Sequence, residues 1–188
     1  MIAPLANSTT ASPVLENTNT NTYGNDANSA LDLGHSQIMD MPNGTLSMSF
    51  ALGQLFGEFA LVSKDGRDNS DGDFSVWIKN GVLSVSFQDG AETEWLSIPQ
   101  VLEEGSTYQF AMSFGEDGLQ LWLNGELVAA EPDFTTGLDS NTQSLVVGGS
   151  RAWRSDQTDE AHSLFEGEIG HVRLYDQALD GADMILLA

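Results

Sequence analysis

The sequence contains no cysteine, which removes a disulfide framework, a thiolate metal site and a cysteine nucleophile together. Basic residues are nearly as scarce: six lysines and arginines stand against 28 aspartates and glutamates, a formal charge of −22. Such a chain repels phosphate backbones and anionic lipid, so nucleic acid and membrane surfaces are excluded as natural partners. The acids are spread along the chain and do not form a disordered acidic tail. No apolar run approaches the roughly 18 residues of a membrane span, so membrane insertion is not expected. The opening MIAPLANSTTASP lacks the basic head and apolar stretch of a signal peptide, so export by another route or excision from a longer chain is expected.

What remains is a chain of 188 residues, enough for one domain with a real core. Residues 1–29 are rich in Asn, Thr and Ser, with TASPVLE (10–16) as one edge strand and the rest, from residue 17, as loop. This segment is expected to belong to the same domain as residues 30–188. From residue 30 the texture changes to short alternating runs separated by turn residues. They are ALDLG, TLSMSFAL, EFALVSK, DFSVWIK, VLSVSFQ, EWLSIP, TYQFAMSF, GLQLWLNGELVA, SLVVGG and EGEIGHVRLYD. Asn80-Gly81 and Asn124-Gly125 each sit between two such runs and predict tight hairpins. The pattern predicts an all-β fold, an antiparallel two-sheet sandwich, with one short C-terminal helix near Asp180–Leu187. There is no internal repeat.

Alternate side chains of a strand face opposite sides of a sheet, so parity sorts core from surface. Phe74, Val76 and Ile78 share a face, as do Leu83, Val85 and Phe87. Tyr108, Phe110, Met112 and Phe114 form a third stripe, and Leu119, Leu121 and Leu123 a fourth. Trp77 and Trp122 take the opposite parity, on strands expected to share a sheet, and so present an aromatic platform or lie beneath a covering segment. Trp95 reads as core.

Two acidic stretches invite a metal reading. KDGRDNSDGDF (64–74) places Asp65, Asp68, Asp71 and Asp73 around two Asp-Gly turns. It reads either as a calcium cage or as a solvated turn, since all-oxygen ligands at short intervals suit calcium. EF-hand spacing is absent. RAWRSDQTDEAHSLFEG (151–167) adds Asp156, Asp159 and Glu160, and also carries Trp153 between Arg151 and Arg154. An indole flanked by guanidinium groups suits the face and the charged groups of a sugar.

FEGEIGHVRLYDQAL (165–179) resembles the closing strand of laminin G-like domains of the concanavalin A-like superfamily. The positions that carry the likeness are Phe165, Gly167, Ile169, Val172, Leu174, Tyr175, Ala178 and Leu179. EGSTYQFAMSFGEDGLQLWLNGELVA (104–129) resembles the family's central hairpin, LVVGGS (145–150) the strand before its last loop, and ALDLG its opening strand. The central hairpin departs from the pattern with Thr107 for a tryptophan, Gln109 for a histidine and Asn124 for an aspartate. The resemblance spans residues 30–186 and implies a jelly-roll sandwich with calcium at one rim.

Glycosidases of that superfamily carry three clustered acids on one strand. Glu166-Gly-Glu168 and Glu92-Thr93-Glu94 each stop at two. His35, His162 and His171 form no Gln-x-His pair of the lyase kind, and no Gly-x-Ser-x-Gly elbow occurs. The expected function is therefore a non-catalytic, calcium-stabilised, secreted lectin-like module for carbohydrate or another extracellular surface ligand, in adhesion or polysaccharide recognition. The alternatives are a spacer domain joined to other domains of a longer adhesin, and a divergent glycoside hydrolase or polysaccharide lyase.

Overall fold

The computed structural model describes residues 11–24, 26–66, 70–90, 92–99, 102–151 and 160–187. Thirteen strands are assigned: β1 (Leu15–Asn17), β2 (Asn21–Tyr23), β3 (Leu31–Asp32), β4 (Gly44–Leu52), β5 (Glu58–Lys64), β6 (Phe74–Lys79), β7 (Val82–Asp89), β8 (Glu92–Ser97), β9 (Thr107–Phe114), β10 (Leu119–Leu123), β11 (Glu126–Glu131), β12 (Val146–Val147) and β13 (Gly167–Tyr175). Among the described residues there is one α-helix, α1 (Gly181–Leu187), which follows β13. The strands form an antiparallel sheet of seven, ordered β1-β13-β4-β9-β10-β11 with β2 also on β13, and one of six, ordered β3-β12-β5-β6-β7-β8. Together they make a sandwich of the jelly-roll class. No helix among the described residues is long and apolar enough to cross a membrane.

Local chemistry sets much of this order. At both Asn-Gly turns the asparagine and the glycine have positive φ (50° and 79° at Asn80-Gly81, 52° and 79° at Asn124-Gly125). That is the backbone of the two-residue turn whose twist matches paired strands. Gly167 has φ 142°, and a side chain there would run into the Ala51 carbonyl, so the closing strand starts on a glycine of necessity.

All four parity stripes are buried between the sheets. Phe87 is the hub of one end, with the rings of Phe74, Phe114 and Phe134 at centroid distances of 5.7, 5.8 and 5.2 Å. Each buried ring contributes roughly 1.5–3 kcal/mol of hydrophobic stabilisation.

The helix shapes the outer surface. Asp180 caps it, its Oδ1 accepting from the N–H groups of Ala182 (2.8 Å) and Asp183 (3.0 Å). Met184 and Leu187 then pack on Ala111, Trp122, Tyr175 and Leu179, on the outer face of the seven-stranded sheet.

Three expectations need correction. Trp77 and Trp122 do not share a sheet: Trp77 lies on β6 of the six-stranded sheet and Trp122 on β10 of the other. Local parity says which way a side chain turns, not which strands pair. Trp95 is not core but 59% exposed, because β8 is an edge strand and Trp95 sits opposite Ser86 on the outer face. The stretch after residue 16 is not all loop: β2 pairs with β13, and Tyr23 is buried against Gly148.

Candidate functional site

At the rim loop of residues 64–74, β5 ends on Lys64, whose side chain is fully buried. Its Nζ donates to the Asn141 carbonyl (2.5 Å), Asn141 Oδ1 (3.0 Å) and the Gln143 carbonyl (3.0 Å), and lies 3.3 Å from His35 Nδ1. Burial lowers the pKa of this amine to about 8, against the opposing pull of Asp40 and Asp73. Asn141 ties the loops together, donating its amide to the carbonyls of Lys64 and Gly72, both at 2.7 Å.

The described aspartates of this loop serve the chain's own donors. Asp73 Oδ2 accepts from the N–H groups of Gly66 (3.3 Å) and Ser70 (3.1 Å), Asp65 from the Ser75 hydroxyl (2.9 Å), and Asp71 from the N–H of Gly90. The three oxygens that surround the Lys64 ammonium come from Asn141 and Gln143 and not from these aspartates. Among the described residues no three acidic or imidazole side chains gather as metal ligands. The described aspartates of this rim are thus engaged by the chain's own N–H and O–H groups. Asp68, Asp156 and Asp159, like Trp153 and Arg154, lie outside the described residues.

The structure brings Arg151 and Glu160 to one rim pocket of about 380 Å³, together with Asp32. Ser150 and His162 exchange backbone hydrogen bonds of 3.0 and 2.9 Å and so close the loop between them. The Arg151 guanidinium is held by Asp32 at 2.8 Å.

The tryptophans fall on opposite outer faces. Trp122 is half-buried beneath α1. Trp77 is half-buried on the six-stranded sheet, its Nε1 donating to Ser86 Oγ of β7 at 3.1 Å, with Trp95 opposite Ser86 on β8.

A different surface has the form of a binding groove. The helix covers only part of the seven-stranded sheet, over Ala111 and Trp122 in the row that continues through Ser47 to Arg173. Two rows beyond it stay open: Gly170–Ser49–Gln109 and Glu168–Ala51–Thr107, each running across β13, β4 and β9. They floor a groove of about 310 Å³ walled by Thr20 and His171.

A β-bulge shapes that wall. Gly170 pairs with Ser49 and Arg173 with Ser47, so His171 and Val172 together oppose Met48. His171 is the extra residue, with φ 52° and an exposed side chain at the groove. Glycine takes this conformation freely, whereas another residue stores strain on the order of 1 kcal/mol. Gly170 lets the segment between β1 and β2 approach: a side chain there would overlap the Thr20 hydroxyl.

None of the groove residues was singled out as a site by the sequence. Two signals pointed there: Thr107 and Gln109 are departures from the family pattern, and strict alternation fails at Gly170-His171.

Comparison with known proteins agrees with the architecture. The laminin G family model, described as concanavalin A-like lectin/glucanases superfamily, matches residues 25–184. The chain belongs to this superfamily. No curated protein sequence matches it. Among solved structures, the CBM40 of the Ruminococcus gnavus IT-sialidase, bound to α2,3-sialyllactose, superposes with a TM-score of 0.75 at 18% identity, over 94% of this chain and 99% of that one. The leech intramolecular trans-sialidase, complexed with 2,7-anhydro-Neu5Ac, gives 0.73 at 20% identity, over 94% of this chain but 28% of that one. A SAP-like pentraxin from Limulus polyphemus gives 0.62 at 14% identity, over 88% of this chain and 79% of that one. At these identities the likeness is one of fold.

Proposed function

We propose that this superfamily member is a non-catalytic carbohydrate-binding module that holds its ligand in the groove on the seven-stranded sheet. The observation that carries the reading is the floor of that groove. Ser49, Thr107, Gln109 and Glu168 stand on neighbouring strands of the open face at the spacing of a pleated sheet, Ser49 donating its hydroxyl to the Gly170 carbonyl at 3.1 Å. Hydroxyl, amide and carboxylate groups on a rigid floor match the closely spaced hydroxyls of a sugar. The solved relatives named with saccharides add support from the same fold.

The absence of catalysis is argued from the carboxylates. Hydrolysis by the usual glycosidase route needs two facing carboxyl groups about 5–10 Å apart. Glu168 is the one acid among the residues that line the groove. A secreted module for an extracellular surface ligand, in adhesion or polysaccharide recognition, follows from this reading as its setting. Calcium has no part in the proposed groove.

The test is a glycan array read with the whole chain and with Gln109→Ala. Binding that drops on this substitution, in a variant that melts like the parent, supports the reading. An array with no bound glycan contradicts it and leaves the spacer alternative.

A further inference from the structure

We infer that the ligand of this groove is a neutral, hydroxyl-rich glycan and not an acidic one, and that Glu168 and His171 set that choice. This deepens the carbohydrate-binding reading and rests on it.

The first argument is the location of positive charge. Four of the six basic residues lie among the described residues, and each is already engaged. Lys64 is buried in its cage of oxygens. Lys79 pairs with Glu58 at 2.8 Å, Arg151 with Asp32 at 2.8 Å and Arg173 with Glu16 at 2.7 Å. None of the four lines the groove. Recognition of a sugar carboxylate normally relies on a forked guanidinium or another charged donor, and none of the described lysines and arginines offers one here.

The second argument is Glu168. It is exposed at the groove and has no hydrogen bond or ion pair with another described residue. An acidic sugar would bring like charge against this carboxylate, on a chain of net charge −22. A neutral sugar instead offers hydroxyl donors, and a carboxylate with two oxygens can accept from two neighbouring hydroxyls at once.

The third argument is His171. It occupies a bulge position at φ 52° that glycine would take without strain, and its imidazole lines the groove without a described partner. Strain of this kind persists where the side chain has work to do. A ring nitrogen on the wall and the Gln109 amide on the floor supply both donors and acceptors, as a polyol requires. The saccharide ligands named with the two sialidase structures are acidic, so this groove represents a different use of the same fold.

The experiment is an array carrying matched neutral and sialylated oligosaccharides, followed by calorimetric titration of the strongest binder. Neutral glycans are expected to bind, at least tenfold more weakly to Glu168→Gln. His171→Gly is expected to melt no lower than the parent while losing at least fivefold in affinity, a combination that a purely structural histidine would not give. Preference for sialylated glycans, with affinity raised by Glu168→Gln, would overturn the inference and leave the carbohydrate reading standing. Neutral binding unchanged by both substitutions would also overturn it. Failure of every glycan to bind would remove the carbohydrate reading itself, and this inference with it.

Discussion

Lys64 and Asn141 hold each other: the buried ammonium donates to Asn141 Oδ1 at 3.0 Å, and the Asn141 amide donates back to the Lys64 carbonyl at 2.7 Å. The pair fixes one rim of the sandwich from within, because Asn141 also reaches Gly72 in the neighbouring turn. Asn141→Ala removes one acceptor, Oδ1, from a buried ammonium and the amide donor from two buried carbonyls. A loss of about 2–4 kcal/mol is expected in urea unfolding, since unpaired buried polar groups cost about 1–3 kcal/mol each. A change below about 1 kcal/mol would show that the cage is not a major support.

The same amine gives stability a pH dependence of known sign. Its pKa is about 8 in the fold against 10.5 unperturbed. Between those values the unfolded chain binds more protons than the folded one, so stability rises with pH across that window. The rise amounts to roughly 2–3 kcal/mol by pH 10. From about pH 10 Tyr23 and Tyr175 act in the opposite direction, because burial raises their pKa values and their phenols ionise first in the unfolded state. Urea unfolding at pH 7, 8, 9 and 10 checks this, and Lys64→Met should flatten the rise.

Calcium offers a separate check on the rim. The internal ammonium and the hydrogen-bonded Asp65, Asp71 and Asp73 predict no calcium-specific rise in Tm for chelator-treated protein, with magnesium as control. A rise of several degrees, lost in Asp71→Ala or Asp73→Ala, would contradict the assignment of these carboxylates to the chain's own N–H and O–H groups.

The helical cover makes a prediction of its own. Asp180→Ala removes the cap of α1 and should cost about 1 kcal/mol. Met184→Ala, which hollows the contact with Trp122, should cost about 2–4 kcal/mol and shift tryptophan emission to the red. Unchanged emission would mean that Trp122 does not depend on the helix for its cover.

The core was legible in the sequence because alternation is a local property. Phe74, Val76 and Ile78 announce a buried face without knowledge of their partners, and the Asn80-Gly81 and Asn124-Gly125 turns announce two pairings. What escaped depends on distant pairing. Trp77 and Trp122 have the same local pattern and lie on different sheets. Lys64 is the last residue of β5, and a bulge between Ala60 and Val62 and the asparagine 77 residues away bury it, neither of which is visible locally. The groove escaped for a related reason. Ser49, Thr107 and Gln109 look like solvated residues until β13, β4 and β9 are aligned, and the bulge at His171 exists only in that alignment.

The central claim, a glycan held on the seven-stranded sheet, is tested most directly by amide chemical-shift mapping of labelled protein titrated with the strongest binder from the array. The account predicts that the shifts gather on β4, β9 and β13 around Ser49, Gln109 and His171. Shifts gathered instead around Trp77 and Trp95 on the six-stranded sheet, with the groove unmoved, would contradict it.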